Sequence, residues 1–139
     1  MSLHQNYIAG EWVGSDDVNA NINPSDTADV VGEYARASKA QAQATIDAAA
    51  AALPEWSRSG VQQRANILDA VGDEIMKRRE ELGRLLSREE GKTLHEGIGE
   101  AMRAAQIFKF FAGEAVRLAG EKIASVRPGV DVEITREPV

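Results

Sequence analysis

The chain of 139 residues contains no cysteine. That excludes disulfides, thiolate metal ligands and a cysteine nucleophile within these residues. Aromatics make up only 5% of it, too few for a platform on which nucleobases could stack. The only two histidines, His4 and His95, are far apart in sequence and have no clustered acid beside them, so they suggest no metal centre. Long apolar runs are missing too. The longest, Ala48 to Leu53, falls far short of the roughly 20 residues that cross a bilayer. The opening MSLHQNYIAGEW has no basic stretch leading into an apolar core, so no signal peptide is expected. The formal net charge is −6, with acid and base mixed along the chain. There is no basic stripe for nucleic acid and no polybasic patch for a membrane surface. These absences point to a cytoplasmic protein that binds neither.

What is present is 43% hydrophobic, enough for a core, at a length that usually makes one domain. Asn6 to Val13 reads as two short strands around Ala9-Gly10, with glycine supplying the positive φ of a tight hairpin. A polar stretch follows, then Ile22 to Asp26 as a short extended piece ending in a turn at Pro24. Val30 to Ala37 is a second strand candidate.

Helices are expected from there to about Gly120. Ser38 with Gln41, Ser59 with Gln62 and Thr93 with Glu96 each have the spacing of a capping box, in which the two side chains satisfy free backbone N–H groups at a helix start. The first helix runs through the alanines to Leu53, and Pro54 ends it. In the second, Val61, Ala65, Leu68, Val71, Gly72, Ile75 and Met76 recur at three and four to give one apolar face. Glu80 and Glu81 open a third helix with Leu82, Leu85 and Leu86 inward and Gly91 as its stop. The fourth reaches Leu118 or Ala119. It has one apolar row of Ile98, Met102, Ala105, Phe108 and Ala112 and another of Ala104, Ile107 and Phe111. A helix apolar on more than one face is expected between two layers.

Pro128-Gly129 is a turn with glycine at its third position. Val130, Val132 and Ile134 then alternate with polar residues as in a half-buried strand. A strand needs a neighbour and a cover for its apolar face, and little chain follows this one. The sequence therefore reads as the front part of something larger.

Two glycine patterns fail as nucleotide loops. Gly91-Lys92-Thr93 closes a phosphate-loop pattern, but the glycine required five residues earlier is Leu86, and a helix precedes it instead of a strand. Gly97 and Gly99 begin a dinucleotide pattern whose third glycine is Met102. Glu100 shares the second apolar row of the last helix. A carboxylate there needs a partner, or else sits close enough to the helix start to complement the dipole.

Taken in order, NYIAGEW, INPSD, FFAGEAVRLAGE and VEITREPV resemble the N-terminal part of the NAD(P)-dependent aldehyde dehydrogenase family, and the resemblance covers essentially the whole chain. The run REEGKTLHEGIGEAMRAAQIFKFFAGE with SVRPGVDVEITREPV is most similar to the branch that oxidises α-ketoglutaric semialdehyde. The resemblance implies an α/β parent of which this piece is mostly α-helical, with N-terminal strands and a C-terminal β-hairpin arm. Residues 1–120 would belong to the coenzyme-binding domain and 121–139 would start the oligomerisation arm. The catalytic domain would be absent, together with its cysteine nucleophile and its NAD or NADP site. The partners implied are the remainder of the enzyme and further copies of it in a homo-oligomer. The piece alone is expected to be inactive. The family's monovalent cation site, for sodium or potassium, maps onto Asn21, Ile22 and Glu100, although glutamate is longer than the aspartate common there. Oxygen ligands of this kind suit a hard cation. The competing reading is a self-standing, non-catalytic helical interaction module.

Overall fold

Small residues decide how the helices meet. The structure, a computed structural model, describes residues 3–137. Its buried residues are Ala65, Ala101, Ala105 and Ala112 with Gly32, Gly72, Gly83 and Gly97. Among the described residues no large side chain is fully buried. Helices α2 (Val61–Lys77) and α3 (Arg79–Glu90) both lie against α4 (Leu94–Ala115). The approach is closest where glycine meets backbone. A Cβ on Gly83 would stand 2.6 Å from the Ile98 backbone, and one on Gly72 would stand 3.1 Å from the Ala105 carbonyl oxygen.

The helix ends follow their capping chemistry in two places out of three. Ser38 caps α1 (Lys39–Arg58) and Thr93 caps α4, each through a complete capping box. The third box does not form. Gly60 is the N-cap of α2, while the Ser59 hydroxyl turns back to donate to the Trp56 carbonyl at 2.7 Å. That happens because α1 does not stop at Leu53. It continues through Pro54 to Arg58 and has no buried residue. Proline removes one N–H, and the carbonyl that loses its partner belongs to exposed Ala50, where water can bond it. Gly91, in the left-handed region at φ 72°, ends α3 as expected. Helix α4 stops at Ala115, short of Leu118. The Arg117 N–H bonds the Glu114 carbonyl at 2.9 Å, the tight i→i+3 turn with which many helices finish.

The strands form three small sheets. β2 (Asn6–Ile8) and β3 (Glu11–Val13) make the expected hairpin, with Tyr7 opposite Trp12. Both turn residues, Ala9 at φ 53° and Gly10 at φ 90°, have positive φ, the geometry whose twist matches a two-residue hairpin. β5 (Val30–Ala35) lies between β1 (Leu3–His4), parallel to it, and β4 (Val18–Ile22), antiparallel, with an irregularity at Asn21/Ile22. β4 falls largely in the stretch that reads as polar loop. Its VNANI sequence is poor in strand formers, and β5 supplies the pairing that composition does not announce. β6 (Glu121–Ala124) and β7 (Asp131–Ile134) form a hairpin closed by Arg127 to Val130. The end of the last expected strand, at Val139, lies outside the described residues. No helix among the described residues is long and apolar enough to cross a membrane.

Candidate functional site

The polar groups that the sequence singles out gather where the turn after β4 meets the α3–α4 junction. The turn is built locally. The Asn23 side-chain oxygen accepts the Ser25 N–H at 2.9 Å, and the Asp26 N–H bonds the Asn23 carbonyl at 3.2 Å, with Pro24 fixing φ between them. The turn then locks onto Gly91. The Ser25 hydroxyl donates to the Gly91 carbonyl at 3.0 Å, and a Cβ on Gly91 would lie 2.8 Å from both Pro24 and Ser25. Only glycine suits that position, for its φ and for its size.

Two carboxylates tie the strands and their turn to the helices, and a third closes the start of α4. Glu89 accepts the Asn21 side-chain N–H at 2.8 Å and the Tyr34 hydroxyl at 3.3 Å. The Tyr34 ring also stacks on His4, with centroids 4.6 Å apart. Asp29 accepts both arms of Arg88, at 2.6 and 2.9 Å, and the Asn23 amide at 3.1 Å. The Arg88 hydrogen bonds, and then that from Asn23, hold the Asp29 carboxyl down at about 2. Glu96 closes its cap by accepting the Thr93 backbone N–H at 3.1 Å, and it also accepts the Thr93 hydroxyl at 2.7 Å. The Thr93 hydroxyl and backbone N–H keep the Glu96 carboxyl below its ordinary value.

The centre of the junction is Lys92. Its ammonium lies 2.6 Å from Glu100 and 2.6 Å from Glu90, and its side chain is only 18% exposed. Glu100 first, and Glu90 second, raise the Lys92 pKa. Lys92 borders an open cleft of about 230 Å³ that it shares with Asn23, Ser25, Arg84 and Arg88.

The sequence candidates are therefore placed as follows. Asn21 and Ile22 sit in β4 at the strand irregularity, the first with its side chain on Glu89 and the second with its side chain half exposed. Glu100 lies in the second turn of α4, beyond the first turn where a carboxylate complements the dipole. Its partner is Lys92. The oxygen donors are of the kind a hard cation takes, and the cationic charge on Glu100 is already supplied by the chain itself. Among the described residues no three His, Cys, Asp or Glu side chains come together as a metal cluster. His95 is exposed at the start of α4. Gly91–Thr93 joins two helices, and β5 enters α1 through Arg36-Ala37-Ser38 without a glycine, so neither junction makes a nucleotide cradle. Sequence reading missed Lys92. The available signal was a lysine directly after a helix-ending glycine, with Glu90 and Glu100 on either side.

Residues 12–139 match the aldehyde dehydrogenase family. The chain is 36% identical over 137 residues to α-ketoglutarate semialdehyde dehydrogenase of Haloferax volcanii, covering 97% of this chain and 28% of that protein. It is 31% identical over 136 residues to glutarate-semialdehyde dehydrogenase of Pseudomonas aeruginosa, with the same coverage. Among solved structures, a betaine aldehyde dehydrogenase of Staphylococcus aureus in complex with NAD+ superposes with a TM-score of 0.89 at 33% identity, covering 97% of this chain and 28% of that one. The chain thus spans little more than a quarter of the length of these relatives.

Proposed function

The chain belongs to the aldehyde dehydrogenase family, and from that premise we propose that it is the N-terminal piece of an enzyme that oxidises a small semialdehyde to the carboxylate with NAD+ or NADP+. α-Ketoglutaric semialdehyde is the first choice of substrate. One observation carries this reading: 36% identity, over 97% of the chain, to a protein named for that substrate. A bound nicotinamide would supply the hydride acceptor. This chain's own residues do other work. The small-residue seam packs α2 and α3 on α4, the Asp29–Arg88 and Ser25–Gly91 contacts fix the β4 turn to that layer, and residues 1–120 present an outer face to a coenzyme-binding sheet. Residues 121–139 begin an arm reaching a further copy. The nucleophile must come from elsewhere, because these residues contain no cysteine.

Extending the reading frame past Val139 and assaying the longer product tests the proposal. The product should reduce NAD+ or NADP+ with α-ketoglutaric semialdehyde at a higher kcat/KM than with glutarate or malonate semialdehyde. A reversed order would remove the substrate assignment. A downstream sequence without a cysteine-bearing domain would remove the enzyme reading itself. The 139-residue chain should show no sustained NADH or NADPH production with any of the three.

A further inference from the structure

Acid outnumbers base in this chain, with 22 aspartates and glutamates against 16 lysines and arginines. One cleft reverses that balance. The opening of about 230 Å³ at the α3–α4 junction is lined by Arg84, Arg88 and Lys92 together with Asn23, Ser25 and Ser87, and no described aspartate or glutamate belongs to its wall. Two of the three cations are partnered from outside that wall. Arg88 gives Nε and Nη2 to Asp29, and Lys92 lies against Glu90 and Glu100. A guanidinium and an ammonium each have more N–H donors than those contacts use. Arg84 makes no hydrogen bond or ion pair among the described residues. It stands four residues before Arg88 on α3, so the two share a helix face. Like charges at that spacing are mildly unfavourable, and an anion between them relieves the repulsion. The Ser25 and Ser87 hydroxyls already donate to the Gly91 and Gly83 carbonyls, which leaves the cations as the donors of the cleft.

We propose that this cleft is an oxyanion site that takes a phosphate dianion, free or as a monoester, with Arg84 as its principal ligand and Arg88 and Lys92 as flanking charges. A planar guanidinium fork matches two phosphate oxygens at once, and a doubly charged ion draws on all three cations. A volume of about 230 Å³ holds such an ion with part of its hydration, since a water in the liquid occupies about 30 Å³. Side chains make this site; the Gly91–Thr93 backbone, preceded by a helix, is not a phosphate loop. The inference stands on these residues alone and does not rest on the oxidation proposed above.

Phosphorus-31 line width of inorganic phosphate tests it, with the chain held at constant ionic strength by potassium chloride. Wild type should broaden the line saturably. Arg84→Gln should weaken the affinity about tenfold, the effect of losing a charged hydrogen-bond donor. Arg84→Lys, which keeps the charge without the fork, should fall between the two, and it replaces Arg84→Gln if circular dichroism shows that variant to be unfolded. Arg103→Gln removes the same charge from α4 outside the cleft and should bind as wild type does. Glycerol phosphate identifies the source: tighter binding than inorganic phosphate makes a monoester the ligand, and equal or weaker binding makes it the free ion, both in support of the site. No saturable broadening by wild type would overturn the proposal. A folded Arg84 variant that binds as wild type would overturn it too. So would equal losses from the Arg84 and Arg103 variants, because phosphate would then follow overall charge and not this cleft.

Discussion

Asp29 shows how one side chain can connect distant parts of this chain. Its carboxylate takes two bonds from Arg88 and one from Asn23, joining the β4–β5 turn to α3, and its pKa falls from 3.8 to about 2 as a result. A folded pKa below the unfolded one stabilises the fold above the unfolded value, and that contribution is lost as pH falls through the folded value. The Asp29→Asn variant should therefore melt below wild type at neutral pH, and the gap should close between about pH 3.8 and 2. A gap constant across that range would show the carboxylate charge to be irrelevant. Ala9 is the other residue with a sharp expectation. It holds φ 53°, a region that costs an ordinary L-residue roughly 1–2 kcal/mol and that asparagine tolerates better. Ala9→Asn should raise stability by up to about 1 kcal/mol, and an unchanged denaturation midpoint would contradict it. Neither feature was readable beforehand. Glycine at the hairpin tip was, because it is the usual solution to a positive φ; the alanine beside it reveals itself only by geometry. Asp29 and Arg88 are too far apart in sequence for any spacing rule to join them. Glu100 was singled out as a carboxylate on an apolar row; it is 56% exposed and pairs with Lys92 from across the α3–α4 junction, which no spacing rule announces.

Local chemistry made the elements legible, and packing accounts for what it missed. Two Ser/Thr-x-x-Gln/Glu patterns became capping boxes because nothing competed with them. The third failed because α1 ran on past Pro54 and took Ser59 as its own end. Proline disfavours a helix interior but need not end it, and α1, which has no buried residue, can leave the orphaned carbonyl to water. The α4 rows were legible as periodicity, and one of them does face α2 and α3. The tightness of that contact was not, since glycine in a helix reads as a weak point until a neighbour's backbone is seen against it. A matched pair measures it. Gly83→Ala brings a methyl within 2.6 Å of the Ile98 backbone and should destabilise by about 1–3 kcal/mol, the usual effect of overpacking. Gly99→Ala, on the open side of α4 with nothing within 4 Å, should stabilise by up to about 1 kcal/mol through helix propensity. Equal effects from the two in urea unfolding would mean that the α3–α4 contact is looser than the structure shows.

The arrangement of apolar surface belongs to the molecule as a whole. The buried seam is alanine and glycine, and the large apolar side chains are outside it. On α4, Ile107, Phe110 and Phe111 are 43%, 60% and 54% exposed, and Trp56 and Leu118 are 47% and 62% exposed. On the β6–β7 hairpin, Ile123 stands opposite Val132, and Ile134 lies on the same face, while Lys122, Asp131 and Glu133 occupy the other. A two-stranded hairpin with one apolar face is marginal alone, and contiguous exposed apolar area promotes association. The second α4 row was read from sequence as needing a cover, and the fold leaves it uncovered. The chain alone should therefore self-associate at micromolar concentration by light scattering. The two surfaces can be separated: Ile107→Glu with Phe111→Glu tests the helix face, and Ile123→Lys with Val132→Glu tests the hairpin. If the helix face is the larger liability, the first pair should return the chain to monomer and the second should reduce association only in part. A wild-type chain that stays monomeric and melts cooperatively would show that the alanine–glycine seam is core enough, and that these outer rows need no partner.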